Sequence, residues 1–380
     1  MKFTIINLLL IPICNSFILS YAGQSIKSNE PYYINKLQPT LSYNINKNLL
    51  NSKVKYVPCD INSNEECLAI CKNEECKILS SKSTLNKFKT IFYIGIWYTF
   101  STLYSIENKI RLNLLNLPYF QSFLSLGTGT IFINILWLLK LRKKPNINKQ
   151  KLIKYLPLSF FHSIGHISAV IAVSGGAVSF TQIVKAAEPV FTCGLNWIIL
   201  GSTINLSAFI SLISLVLGVS LASISSLTFT WISFWGSMVS NIAFAARNVC
   251  SRVALTKENI NPENLFAILT IFSFLFSIPI MIIFEGKKIP IIIMENTNPT
   301  PIIFISSIKT GLYFYFYNEA AMKVLKNLNP VSHSVANSLK RIIILLTCII
   351  FFKTPLNQNG VIGAVIAIVS SYMYSMTKNK

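Results

Sequence analysis

Two adjacent cations, Lys340 and Arg341, head an uninterrupted apolar run over 342–352, and a third, Lys185, stands alone within the apolar stretch 177–200. A Lys or Arg at the centre of a membrane helix costs roughly 2.5–3.5 kcal/mol on insertion scales, so such residues are kept where something anionic needs them. The alternative for Lys340 and Arg341 is a pair of flanking anchors whose side chains snorkel to the interface. Lys185 in a separate segment favours a shared anion site. Together the three can neutralise a phosphate dianion, Arg with a planar fork for two oxygens and Lys with a compact point charge. With no anion bound the three repel one another, which favours a cycle that crosses only when loaded. Arg247 is a fourth candidate cation, with Glu188 or Glu319 as alternative partners. Tyr317 closes the aromatic run Tyr313-Phe314-Tyr315-Phe316-Tyr317, in which one hydroxyl can reach a substrate oxygen.

His162 and His166 are four apart and share a helical face, a spacing that can hold a metal. No carboxylate or third ligand accompanies them in sequence. The expectation is therefore no metal, no cofactor and no catalytic group, with the histidines as core hydrogen-bonding groups or substrate donors. An intramembrane enzyme built on this pair lacks its acid, and a bare scaffold has no use for buried cations.

These residues need elements to hold them. The chain of 380 residues is 52% hydrophobic and 12% charged, too apolar for a soluble domain and suited to a polytopic membrane protein. Its net charge of +21 lies largely ahead of residue 90 and in one loop, which fits targeting and topology and argues against a nucleic-acid partner. Ten apolar segments follow, about 90–106, 119–140, 156–174, 177–200, 205–224, 228–250, 263–284, 301–325, 329–352 and 358–376, each near the ~20 residues a helix needs to cross the hydrocarbon core. Lys140, Arg142, Lys143, Lys144, Lys149, Lys151 and Lys154 crowd the second connection, which places that loop and both ends of the helical part on the cytoplasm-like face. Five segments and five make two halves. Val178-Ser179-Phe180-Thr181 ahead of Lys185 in the fourth matches Val331-Ser332-His333-Ser334 ahead of Lys340 in the ninth, as inverted repeats with a site between them would give. The fold expected is all-α, ten transmembrane helices in two inverted five-helix repeats.

Residues 1–23 have the layout of a signal peptide: Lys2, a short apolar region over 3–13, and Ser20-Tyr21-Ala22 as a small-x-small cleavage site. Residues 24–58 are basic, with Glu30 as the only acid, as in a plastid transit segment. Signal plus transit is the bipartite address of a plastid reached through the secretory route; a plain secretory protein with a disordered arm is the alternative. Cys59, Cys67, Cys71 and Cys76 cluster next and read as disulfides or reduced thiols ahead of zinc, since paired C-x2-C knuckles are missing. Cys14, Cys193, Cys250 and Cys348 are small packing residues. The domains expected are 1–23 signal, 24–88 leader and 89–377 transport unit.

Over 92–377 the motifs resemble the plastid triose-phosphate/phosphate translocator family of the drug/metabolite transporter superfamily. Gly95-Ile96-Trp97-Tyr98, Glu107-Asn108-Lys109 and Leu117-Pro118-Tyr119-Phe120 are similar to its first helix and turn. Gly165-His166 and Val178-Ser179-Phe180-Thr181-Gln182-Ile183-Val184-Lys185-Ala186-Ala187-Glu188-Pro189 resemble its SFTH-x-I-K-x-x-E-P signature. Ala243-Phe244-Ala245-Ala246-Arg247-Asn248, Tyr317-Asn318-Glu319 and Ser332-His333-Ser334-Val335-Ala336-Asn337-Ser338-Leu339-Lys340-Arg341 match three more. The resemblance implies exchange of phosphorylated metabolites for inorganic phosphate, with Lys185, Lys340 and Arg341 on the phosphate, His166 and Tyr317 at the carbon end, and Arg247 in the same cavity. Ala169, Gln182, Glu319 and Ala336 depart from the family's Thr, His, Gln and Gly. The phosphate grip is intact and the carbon end altered. With the leader, the likeness is to apicoplast members that carry triose phosphate, 3-phosphoglycerate and phosphoenolpyruvate; a nucleotide-sugar or sugar-phosphate exchanger of the secretory pathway is the rival. Membrane lipid is the other expected partner. A chain starting near Ser81 is expected to insert and exchange phosphate like the full chain, measured as counter-exchange into liposomes. Loss of exchange by correctly inserted protein would give the cysteine cluster a working role.

Overall fold

The computed structural model describes residues 53–58, 66–72, 75–145, 149–200, 205–226, 229–257, 260–290, 300–328, 330–354 and 357–377. The signal-like stretch 1–23, the arm 24–52 and Cys59 lie outside the described residues. Two units divide the chain, Met1–Phe92 and Tyr93–Lys380. In the first, β1 (Lys53–Pro58), β2 (Glu66–Lys72) and β3 (Glu75–Ser81) pair antiparallel in the order β1-β2-β3. The register sets Cys71 opposite Cys76. The all-α expectation concerns the ten spans, and the sheet adds an element where the leader's sequence carries no assignment. Its acids and cysteines carry no hydropathy signal, whereas Val54, Tyr56, Leu68, Ile70 and Ile78 alternate as a strand requires.

The rest is helical: α1 (Lys82–Leu114), α2 (Pro118–Leu138), α3 (Lys149–Gly175), α4 (Val178–Lys185), α5 (Glu188–Leu200), α6 (Leu206–Ile224), α7 (Trp231–Lys257), α8 (Pro262–Glu285), α9 (Thr300–Asn327), α10 (Pro330–Phe352) and α11 (Gln358–Thr377). Each expected apolar segment holds helix, and one holds two. Segment 177–200 breaks between Lys185 and Glu188 because Pro189 has no N–H to give the Lys185 carbonyl and its ring crowds that same carbonyl. The turn tightens instead: the Ala186 amide bonds back to Gln182 and Ile183, and that of Ala187 to Val184, at 3.0–3.1 Å. The Asn241 amide takes the Val184 carbonyl at 3.0 Å. Pro is at home near the start of a helix, so α5 begins there.

Four helical segments, α2, residues Leu152–Gly175 of α3, α6 and α8, are long and apolar enough to cross a membrane by length and composition. Helix α6 shows the inverted sorting that lipid demands: Leu206, Phe209, Ile210, Ile213 and Leu217 are exposed, while Ala208, Ser211, Leu215, Gly218 and Ala222 are buried. Small residues allow backbones to approach closely where no hydrophobic drive joins helices. Helices α6 and α11 do this most fully. A Cβ on Gly218 would sit 2.6 Å from the Ala367 amide nitrogen, and one on Gly363 would sit 2.5 Å from that of Ala222. Other close pairings are α3 with α7 and α8, and α2 with α8 and α9. From Tyr93 on, α1 meets α9 and α10 mainly through side chains: Phe100 packs on Tyr313 and Phe316, Trp97 stacks on His333, and the Tyr98 hydroxyl donates to the Ala336 carbonyl at 2.5 Å.

Gly218→Ala and Gly363→Ala are each expected to lower the unfolding temperature of detergent-solubilised protein. Overpacking against backbone costs about 1–3 kcal/mol, more than the roughly 1 kcal/mol a helical Gly→Ala change returns. Gly194→Ala, with nothing within 4 Å of the new methyl, is expected to be neutral or stabilising.

Candidate functional site

Between α1, α4, α5, α7, α9 and α10 lies a cavity of about 120 Å³, lined among others by Lys185, Glu188, Arg247, Tyr317, Lys340 and Arg341. Three features place the cations. The break after Lys185 ends α4 inside the bundle, so its side chain projects from a helix end. Lys340 and Arg341 are consecutive on unbroken α10. Arg247 projects from α7, beside Asn248. Five of the six residues expected at a site thus line one space.

His166 is the exception. It is not among the lining residues; its ring packs 4.0 Å from Phe314 and 6.3 Å from Tyr104, which does line the cavity. The role expected of His166 at the carbon end thus concerns a residue packed behind the lining, against Phe314 of α9. His162, on the same face, touches the network directly: its Nδ1 lies 3.0 Å from Arg247 Nη1.

The cations are not equivalent. Arg341 donates to Glu188 Oε2 in a short contact. The other oxygen of Glu188 accepts from Asn248 Nδ2 at 3.0 Å. Asn248 Oδ1 in turn accepts from Arg247 Nε and Nη2 at 3.2 and 2.7 Å, and Asn318 Oδ1 accepts from Arg247 Nη1 at 3.3 Å. One polar chain thus joins α10, α5, α7, α3 and α9. Of the partners expected for Arg247, Glu188 is reached only through Asn248. Glu319 is engaged elsewhere, taking Arg142 on both oxygens at 2.8 and 2.9 Å and Lys323 at 3.1 Å, with Lys323 also 3.2 Å from Glu263. Lys323 is therefore a structural cation, not an idle one.

By contrast, neither Lys185 nor Lys340 donates a hydrogen bond among the described residues. The Lys185 ammonium lies 5.8 Å from the Phe244 ring centre and that of Lys340 4.7 Å from Trp97, within the ~6 Å at which a ring face attracts a cation. Two ammonium groups resting on rings keep all their donors for a ligand. Glu188 as the carboxylate holding Arg341 is legible only weakly in sequence, where its neighbour Pro189 hides how near it comes to α10.

The cavity follows residues 317–325 of α9 and 333–344 of α10, and so lies toward the C-terminal end of α9. At the opposite end the helices are tied. Lys109 Nζ donates to the Val173 and Gly176 carbonyls, both at 2.9 Å, where a cation complements a helix C-terminus. Arg111 Nη2 bonds Ser307 at 2.9 Å, and Lys309 pairs with Glu107. None of the four segments apolar enough to cross a membrane on composition contributes to the lining. Part of the polarity that lowers the hydropathy of α7, α9 and α10 belongs to the cavity, through Asn241, Arg247, Asn248, Asn318, Lys340 and Arg341.

Comparison with known proteins finds relatives over most of the chain. The chain is 36% identical to the phosphoenolpyruvate/phosphate translocator 3, chloroplastic, of Oryza sativa subsp. japonica, over 75% of this chain and 73% of that protein. It is 33% identical to the triose phosphate/phosphate translocator, chloroplastic, of Flaveria trinervia, over 76% and 71%. It is 31% identical to the glucose-6-phosphate/phosphate translocator 1, chloroplastic, of Arabidopsis thaliana, over 77% and 76%. A solved crystal structure superposes with a TM-score of 0.51 at 11% identity, over 78% of this chain and 99% of its own, a likeness of fold alone. The description "Triose-phosphate Transporter family" matches residues 88–375, and the chain belongs to that family of transporters.

Proposed function

We propose that the protein is an antiporter that exchanges phosphorylated three-carbon metabolites, among them triose phosphate, 3-phosphoglycerate and phosphoenolpyruvate, for inorganic phosphate across a plastid membrane of the apicoplast type. The observation that carries this is charge: Lys185, Arg247, Lys340 and Arg341 line one small cavity against a single carboxylate, Glu188. The phosphoenolpyruvate and triose phosphate in the names of two relatives support the three-carbon class. The phosphate/phosphate-translocator names of the relatives support the counter-ion, their chloroplast location supports a plastid, and the acid-poor leader supports delivery through the secretory route.

The eleven helices among the described residues then make ten spans, α4 and α5 together forming the broken fourth, with 89–377 as the transport unit behind the signal and leader. In the inverted-repeat reading, α2 with α8 and α6 with α11 are partners that pack on their own counterparts, and α3 on α8 corresponds to α9 on α2. Helix α1 corresponds to α7, yet α7 lies close along α3 while α1 is held largely by side chains. The cavity opens where that symmetry is missing. The ties at Lys109, Arg111 and Lys309 hold the end away from the cavity. Glu188 stands in for the substrate on Arg341 when the site is empty, while the two lysines wait unpaired.

Counter-exchange into liposomes loaded with labelled phosphate tests this. Lys185→Gln, Lys340→Gln and Arg341→Gln are each expected to insert normally and weaken phosphate binding by about ten- to a hundred-fold, the worth of one hydrogen bond to a charged group. Arg341→Lys is expected to recover part of it, keeping charge without the fork. Lys326→Gln, on an exposed position near the end of α9, is expected to match the parent. Phosphate binding by folded Lys340→Gln protein within twofold of the parent would refute the grip and return Lys340 and Arg341 to the role of anchors.

A further inference from the structure

Trp97 and Ser101 line the cavity and are buried, with 2% and 3% of their surface exposed. Neither Trp97 Nε1 nor Ser101 Oγ has a hydrogen-bond partner. For Ser101 this is anomalous on its own helix: the neighbouring Thr102 and Ser105 hydroxyls bond back to the Tyr98 and Ser101 carbonyls at 3.0 and 2.8 Å, the usual way a helical hydroxyl is satisfied. Residues four apart share a helical face, so the two free donors stand one turn apart on the cavity side of α1. The Lys340 ammonium, itself without an acceptor, lies 4.7 Å from the Trp97 ring centre, and His333 stacks on that ring at 5.3 Å.

Resting on the antiporter reading above, we infer that Trp97 Nε1 and Ser101 Oγ, with Lys340 between them and the phosphate grip, form a second subsite that receives the carboxylate of a phosphorylated three-carbon acid. An indole N–H only donates, and an ionised carboxylate only accepts, on two oxygens; it takes both donors at once. A keto or hydroxyl carbon end can also accept from both donors, but as a neutral group it accepts more weakly than a carboxylate and brings no charge to the cavity. The charge count points the same way. Four lining cations against Glu188 leave three positive charges uncompensated. A phosphate ester carries about −1.5 to −2 at neutral pH, and a carboxylate on the same molecule brings the total near −3. The phosphorylated acid is thus the ligand whose charge closes the cavity, and inorganic phosphate or a triose phosphate falls one short. His333 and Lys340 hold the indole in place from two sides, so the donor is set before substrate arrives.

Trp97→Phe keeps the ring and removes the N–H, and Ser101→Ala removes the hydroxyl. With labelled phosphate inside liposomes, uptake rates are measured against external phosphoenolpyruvate, 3-phosphoglycerate and dihydroxyacetone phosphate. Each variant is expected to lower kcat/KM for the two acids relative to the triose phosphate by about tenfold, the worth of one hydrogen bond to a charged group, through a raised KM. A ratio that stays at the parent's value while exchange proceeds overturns the subsite. So does an equal loss for all three substrates, which makes the pair structural or part of the phosphate grip. A parent chain that exchanges none of the three removes the antiporter reading, and the subsite with it.

Discussion

Burying like charges together is the constraint under which this bundle is built. Four cations share a cavity with one carboxylate, and three different devices hold them. Arg341 has an ion pair, Arg247 a set of amide and imidazole acceptors, and the two lysines have ring faces only. Removing one partner of a buried charge pair leaves an uncompensated charge, so the polar chain from Arg341 through Glu188 and Asn248 to Arg247 acts as one unit. The helices that carry it surrender hydropathy to do so. The bundle is kept in the membrane by others, α2, α3, α6 and α8, none of which lines the cavity, although α3 reaches its polar chain through His162.

The division of labour explains the broken fourth segment. Pro189 interrupts the ladder four residues after Lys185, and the Asn241 amide from α7 takes up a carbonyl at the turn. A continuous helix would hold Lys185 and Glu188 on a rigid spiral. The break lets Lys185 project from one helix end and Glu188 open the next, so that one reaches toward ligand and the other toward Arg341. The corresponding stretch of α10 has no proline and stays whole, and its two cations come from adjacent positions instead.

Much of this was legible in the sequence because charge inside apolar stretches is a strong signal. Lys185, Lys340, Arg341 and Arg247 were named from residue type and spacing and Tyr317 through motif resemblance, and they line one cavity. What was not legible depends on depth and on long-range approach. Helical spacing puts His162 and His166 on one face, but it does not say that Phe314 stands in front of one while Arg247 reaches the other. Lys323 looks idle in sequence. It is tied to Glu319 and Glu263, and Glu319 is met by Arg142 because Lys140, in a left-handed conformation with φ of 56°, ends α2 and turns the chain back. Pro189 was present to be read as a break, yet hydropathy averaged over 177–200 smooths it away. The sheet over 53–81 lay hidden because leader-like composition masks alternation.

The contact between α6 and α11 has a consequence for movement. Where Gly218 and Gly363 meet, backbone touches backbone with no side chain between, so nothing there can rotate out of the way or be compressed. Two rods joined this way neither slide nor part, but they can tilt about the point of contact. Helix α1, gripped by rings and long side chains, has the opposite property: its contacts can be exchanged one at a time. Any rocking of this bundle therefore has its fulcrum at this seam, whose core takes in Ile183, Ala186 and Ala187 beside Lys185, and its travel along α1. A cross-link at the fulcrum restrains little, whereas one along α1 arrests the whole.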